Sequence, residues 1–418
     1  MEQKGKSLKI LFLTISVLLL IIVFCGCNMQ NDLQGNESPG QISEGPGPEV
    51  SETEIPEITQ VLPILEVTPE PTPEPTPEPT APDEGDRDSI RTPIVLANKV
   101  PENLRESYNI LCAGIEKKDK EIFFKEDVSA DLIKVFCYVR DYNPQFYYVD
   151  WSVCRVYTLS ISQKTVIEMS YKDLIPQIAE IEEKVNMIVT EANKRPTLLD
   201  RELYVHDYLI ENIVYQLDGT NVTSIYGALI DGKANCQGYA RSFQYIMNRI
   251  GVETILITGH VGEGHMWNMV KLYGKYYHVD VTHDDSETDK HISYSCFNIS
   301  DEVIRKTHVI DEKNIVVDGV PRNMDLQNCV SMDYNYFYVN NLVISNIEEF
   351  VNLLEINKDA LCMEVFFNGE MPKSNDFDEA FVQFAKKYYK TNNVKYRFTS
   401  EESDDYKRNV FYIEWTVE

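Results

Sequence analysis

The chain is short of positive charge: 39 of its 418 residues are lysine or arginine, against 67 aspartate or glutamate. A partner built on phosphate needs clustered cations, so this balance argues against nucleic acid. A CxxC pair is also missing. The seven cysteines beyond Cys27 (Cys112, Cys137, Cys154, Cys236, Cys296, Cys329 and Cys362) are scattered and odd in number, which indicates neither a zinc site nor a dense disulfide framework. No apolar run reaches the length of about 20 residues that a membrane-spanning helix requires. Nothing in the sequence calls for calcium, a nucleotide or an organic cofactor.

What the N-terminus does contain is an export pattern. Lys4, Lys6 and Lys9 precede the apolar run from Ile10 to Phe24, and Gly26 then stands directly before Cys27. Residues 1–26 are therefore expected to be a signal peptide. A small residue ahead of a cysteine resembles the lipobox of bacterial lipoproteins, which implies acylation of Cys27 and a protein tethered to the membrane facing outside. Residues 27–95 cannot build a core. They are rich in Glu, Pro, Gly, Ser and Thr and repeat Pro-Glu-Pro-Thr from Pro69 to Thr80. Between Met29 and Thr92, fifteen acidic residues stand against Arg87 and Arg91, a local balance of −13 that supplies much of the net −28. As an extended spacer this segment would reach on the order of 150–200 Å.

Folded structure is expected from about residue 96. Leu104, Tyr108, Leu111 and Ile115 recur at helical spacing, as do Leu132, Val135, Phe136 and Val139. Gln145–Val149, Cys154–Leu159 and Thr165–Tyr171 read as strands, and Ile175–Ala192 and Leu198–Tyr215 as amphipathic helices. Residues 96–195 thus form a small α+β unit, and residues 330–418 a separate α/β module of accessory or binding type. In that module Tyr336–Ile344, Cys362–Phe367, Val394–Thr399 and Val410–Val417 read as strands, and Ile347–Leu354 and Phe377–Tyr389 as helices.

The chemistry lies between them, in residues 196–315. Tyr239, Phe243, Ile246, Met247 and Ile250 share one face of a helix ending at Gly251, which puts Cys236 at its N-terminus. A helix start carries partial positive charge and free N–H groups, which favour a thiolate and can hold an oxyanion. Further on, two alternating runs flank Tyr273-Gly274, the pattern of a β-hairpin. With those two residues as the loop, His265 lies opposite Thr282 and Trp267 opposite Asp280. His265 and Asp280 are then diagonal neighbours on one face, within side-chain reach. Met266, Val270, Leu272, Tyr277, Val279 and Val281 fall on the other face, which is the core side. A cysteine, a histidine to take its proton and a carboxylate to orient that histidine form a nucleophilic set.

Three blocks carry a resemblance: Gly-Lys-Ala-Asn-Cys236-Gln-Gly-Tyr-Ala, Gly264-His265-Met-Trp-Asn-Met-Val, and Tyr277-His-Val-Asp280-Val-Thr-His-Asp-Asp. Together with Tyr204-Val-His206-Asp207-Tyr208 upstream, they are similar to the core of the bacterial transglutaminase-like superfamily. The likeness covers roughly residues 195–310. It implies an α+β, papain-like core with Cys236 as nucleophile, His265 as general base and Asp280 as orienting acid. His283 and Val281 depart from the family pattern, where Trp and Pro are expected, but leave the three site residues intact. Gln237, Tyr239 and Trp267, the neighbours of the thiol and the imidazole, are the expected substrate contacts.

His278, His283, Asp284 and Asp285 could be grouped with Asp280 as a metal cluster. A solvated acidic loop is the preferred reading, and no metal is expected. His206 and His260 read as structural histidines. The expected function is thiol-dependent acyl transfer on an extracellular or envelope peptide or protein amide, by hydrolysis or transamidation. The alternative from another class is a non-catalytic envelope binding protein that uses this domain as a scaffold.

Overall fold

In the computed structural model, residues 93–417 are described apart from 125–128, 160–163, 174–176, 286–290, 315, 318–319, 361, 370–372, 391–393 and 404–405. Cys27, the signal segment and the spacer up to residue 92 therefore lie outside the described residues, while Ile94, expected in the spacer, donates its N–H to the Asn248 carbonyl at 2.8 Å. The protein is α+β. At its centre is a five-stranded antiparallel sheet of β1 (Thr254–Val261), β2 (Glu263–Leu272), β3 (Lys275–Val279), β4 (Phe297–Ile299) and β5 (Val309–Ile310), in the order β5-β1-β2-β3-β4. Against it pack α1 (Leu198–Asn212) and α2 (Cys236–Arg249), and the short helices α3 (Val281–Asp284) and α4 (Asp301–Ile304) follow the strands they succeed.

Local chemistry explains these boundaries. Thr197 and Asp200 form a capping box at the start of α1, each side chain taking the other's backbone N–H (3.1 and 3.2 Å). Asn235 caps α2 by accepting the Gln237 N–H at 3.1 Å. One turn into α2, a Cβ on residue 238 would stand 2.4 Å from the Val222 carbonyl oxygen, so only glycine lets the helix sit this close to the preceding turn. Tyr273 and Gly274 both take positive φ (47° and 87°), the two-residue turn that suits the twist of the flanking strands. The β2–β3 register follows from it: Leu272 faces Lys275 and Asn268 faces Val279.

One apolar cluster runs from Val100, through helix Glu102–Lys117 and helix Ile178–Ala192, to Phe243, Tyr277 and Phe297. Packing is thus continuous across residue 195. The C-terminal residues have their own core around Phe350, Phe381, Ile413 and Trp415, under the sheet that holds strands Cys362–Phe367 and Tyr406–Val417. Glu364 ties the two cores by accepting from Ser293 Oγ (2.6 Å) and the Tyr294 N–H (2.9 Å), and Tyr294 stacks on Tyr336 at 3.7 Å. All seven cysteines within the described residues are free thiols.

Two expected strands are corrected. Gln145–Val149 is replaced by a 3₁₀ turn, Pro144–Phe146, because Pro144 sets the helical φ at its start. Phe146, Tyr147 and Tyr148 then bury in succession instead of alternating. Tyr336–Ile344 divides into a helix, Tyr336–Val339, capped by Asn335 through the Phe337 N–H, and a two-residue strand, Val343–Ile344.

Beneath the sheet, Glu202 of α1 is fully buried and has one neutral donor, Asn298 Nδ2 at 2.9 Å. Burial pushes its carboxyl up to about 8, above the lowering effects of Asn298 and His206. The folded state therefore holds a proton that the unfolded chain releases near the ordinary carboxylate range. The contribution is favourable at low pH and is lost as pH rises from about 4.5 to about 8. Glu202→Gln should flatten that slope and raise the urea midpoint at pH 9, since each tenfold difference in proton affinity between folded and unfolded chain is worth about 1.4 kcal/mol. Equal midpoints for the two proteins at pH 9 would refute a proton held at Glu202.

Candidate active site

Cys236 is the first residue of α2 and is nearly buried, at 5% exposure, against Ala240, Met266 and Leu256. Its helix is fastened to the sheet by Asn268, whose Nδ2 donates to the Ala240 carbonyl at 3.0 Å. His265 of β2 stands beside the Cys236 side chain, which favours a proton on its ring. Its Nε2 donates to Asp280 Oδ2 at 2.6 Å, which leaves Nδ1 clear of that carboxylate. The strand ladder stops at Val279, one residue short of the expected Trp267–Asp280 pairing. Asp280 leaves the strand to cap α3, its Oδ1 accepting the His283 N–H at 3.1 Å. The diagonal meeting of His265 and Asp280 is made all the same.

The electrostatics follow from burial and pairing. Burial pulls the His265 ring toward its neutral form, but the charge and hydrogen bond of Asp280, reinforced by Cys236, push it up to about 10. Burial alone would raise the Asp280 carboxyl; the charge of His265 and donation from His265 and His308 hold it well below the usual range. The ring thus rests as an imidazolium against an ionised carboxylate.

Three neighbours complete the arrangement, of which His308 had no role in the sequence reading. His308 Nε2 donates to the same Asp280 Oδ2 at 2.9 Å. His278, buried on β3, accepts the Trp267 Nε1–H on Nδ1 at 3.0 Å and donates from Nε2 to Asp301 Oδ1 at 2.9 Å. Trp267 itself stacks on the His265 ring, with centroids 5.9 Å apart and planes 22° from parallel. The chain Asp301–His278–Trp267 therefore fixes the surface against which the imidazole lies.

Of the expected substrate contacts, Gln237 is half-buried beside Cys236. Tyr239 and Trp267 are corrected: at 0% and 1% exposure neither can meet a substrate. Tyr239 points into the core, where its hydroxyl meets the Ile213 carbonyl and Asp285. The solvated-loop expectation for residues 283–285 also fails at Asp284, which is fully buried. It accepts from His206 Nε2 (3.2 Å), Ser295 Oγ (2.9 Å) and the Cys296 N–H (2.8 Å). His206, between Asp207 and Asp284, is a structural histidine; burial opposes its charge, and the two carboxylates push it up to about 9.

Two groups lie close enough to face a common cation: His265, Asp280 and His308, and His278, Asp301 and Cys329. In the first, both Nε2 atoms already donate to one carboxylate oxygen. In the second, the Trp267 N–H occupies His278 Nδ1, so the ring proton sits on Nε2, the nitrogen a metal would need. Both sets are hydrogen-bonded as they stand.

Asp280→Ala should leave two facing imidazoles around an emptied site. Breaking a buried ion pair from one side costs about 3–5 kcal/mol, to be read from urea unfolding at pH 7. A loss below about 1 kcal/mol, the scale of an exposed pair, would contradict the charge state described here.

Residues 184–281 match the family model of the transglutaminase-like superfamily. No curated relative matches the chain. Among solved structures, a candidate cysteine protease from Cytophaga hutchinsonii is similar at 12% identity and a TM-score of 0.23, over 31% of this chain and 61% of that one. A TGase is similar at 12% identity and a TM-score of 0.24, over 47% and 57%. A candidate protease from Parabacteroides distasonis is similar at 10% identity and a TM-score of 0.19, over 30% and 33%. The chain thus spans less than two thirds of each of these three structures. Residues 184–281 of this chain are thus similar to the transglutaminase-like superfamily.

Proposed function

We propose that the protein is a thiol-dependent acyl-transfer enzyme acting on peptide or protein amides, with Cys236 as nucleophile, His265 as acid and base, and Asp280 as the orienting carboxylate. The observation that carries this reading is the His265 ring, held at 2.6 Å by Asp280 through Nε2 and lying beside Cys236, the first residue of α2. The Cys236 sulfur, having given its proton to His265, attacks the amide carbonyl and a C–S bond forms. The oxyanion forms next to the N–H groups at the start of α2. The His265 imidazolium gives its proton to the leaving nitrogen as the C–N bond breaks, and a thioester remains. A second nucleophile, losing its proton to His265, then breaks the C–S bond and frees the Cys236 thiolate beside the restored imidazolium. Water gives hydrolysis and an amine gives transamidation.

Hydrolysis is the favoured outcome, because a protein tethered outside the cell works in bulk water and its sequence contains no device for excluding it. That location is part of the proposal: export by residues 1–26, acylation at Cys27, and a spacer that holds the folded region away from the membrane. Cys27→Ala should release the protein into the medium; retention in the membrane fraction would remove the lipid tether.

The first test is chemical. With the folded region intact, iodoacetamide should label Cys236 faster than the other described cysteines, and His265→Ala should slow that labelling by about tenfold or more, the scale on which a paired base activates a nucleophile. Labelling that is indifferent to His265 would favour the scaffold reading. Active protein given a glutaminyl peptide should release ammonia without added amine; dependence on an amine acceptor would reverse the preference for water.

A further inference from the structure

We propose that His308 is a positioning residue of this site: by donating a second imidazole N–H to the oxygen that holds His265, it fixes the Asp280 carboxylate and divides its charge between two rings. The inference rests on the function proposed above.

Asp280 Oδ2 accepts from His265 Nε2 at 2.6 Å and from His308 Nε2 at 2.9 Å, while Oδ1 takes the His283 N–H at 3.1 Å. With three donors on two oxygens, the carboxylate cannot rotate without breaking at least one bond. The His308 side chain has no exposed surface. Its ring stands edge-on to Trp267 (5.0 Å) and His283 (5.2 Å) and tilts against His265 (5.6 Å), so it touches both the imidazole and the indole that stacks on it.

The backbone is arranged for this contact. The His308 N–H donates to the Ile304 carbonyl at 2.9 Å, which anchors the residue to the end of α4, and Nδ1 lies 2.7 Å from Thr307 Oγ1. The next residue, Val309, pairs with His260 on β1. Beside it, a Cβ on residue 259 would stand 2.1 Å from the Val309 carbonyl oxygen and 2.7 Å from Trp267 Cη2. Glycine at 259 is therefore the condition for β5 to lie close enough to deliver His308 over Trp267. A histidine that merely filled the core would need no such approach.

Sharing one oxygen has a chemical consequence. Two N–H donors divide the negative charge, so Asp280 holds His265 less strongly than it would alone. Among the described residues, the titratable groups facing His265 are Cys236 from α2, Asp280 from the β3–α3 junction and His308 itself. His283 faces Asp280 and His308 from α3, and His278 and Asp301 stand beyond Trp267. Removing His308 returns the whole carboxylate charge to His265, which then keeps its proton to higher pH, while the ring loses its fixed direction.

The test follows alkylation of Cys236 by iodoacetate, read by peptide mass across pH. This anionic reagent reacts best while the neighbouring imidazolium persists, so its falling limb at high pH reports His265. In His308→Ala the plateau rate should fall about tenfold, within what misdirection of a reacting group costs. The falling limb should move up by about one pH unit. His308→Gln, which keeps an N–H donor, should recover most of both. Gly259→Ala, which displaces β5 and presses on Trp267 while leaving the His308 side chain intact, should lower the rate and move the limb in the same directions, and keeps the test open should His308→Ala not fold. A folded His308→Ala with wild-type rate and limb would overturn the proposal. So would equal losses in the alanine and glutamine variants with an unmoved limb. Wild-type labelling that ignores His265→Ala would instead sink the function proposed above, so the two failures are distinguishable.

Discussion

Asp280 carries its charge at 1% exposure, and the surrounding structure is organised around keeping it there. An isolated carboxylate so far from water would cost several kcal/mol and take up a proton instead. Two imidazole N–H groups and one backbone N–H prevent that. They come from β2, from the segment before β5 and from α3, so one side chain draws three parts of the sheet's edge together. Its backbone N–H, bonded to the Cys296 carbonyl at 3.1 Å, adds a fourth, the approach to β4. A second buried carboxylate, Asp284, repeats the device one turn later with His206, Ser295 and Cys296. Their closeness in sequence puts two buried carboxyl groups within a single turn of α3. That helps explain why so short a helix is held from several sides.

The parts of the fold that were legible in the sequence are those decided locally. A two-residue turn with a glycine sets the hairpin register, and the register decides which of β2's side chains meet which of β3's. Polar caps decide where helices begin, and Asn235 therefore puts Cys236 on the first turn of α2. The strand Cys362–Phe367 and the helix beginning at Ile347 fall where their periodicity put them.

What was not legible depends on partners remote in the chain. Nothing about Thr307-His308-Val309 differs from an ordinary strand entry, and only the path of β5 brings that histidine to a carboxylate 28 positions earlier. Trp267 and Tyr239 lie beside the site residues in sequence, but Trp267, on the same strand face as His265, is covered by His308 and His278, and the helical turn sends Tyr239 inward. Asp284 looked like a solvated loop residue because a run of acidic side chains usually is one; the three donors that bury it lie on β4's approach and on α1. Pro144 shows the opposite failure, in which a local signal was present and an aromatic run outweighed it.

The hairpin also gives the site a history within each molecule. His265 and Asp280 are 15 residues apart and joined by a tight turn, so they can meet on the timescale of hairpin closure, about 1–10 μs. The cysteine arrives on a helix that must dock from outside the hairpin, and His308 comes later in the chain still. The contact between His265 and Asp280 can therefore form before Cys236 is in place, because it needs only the hairpin and not the helix that docks on it.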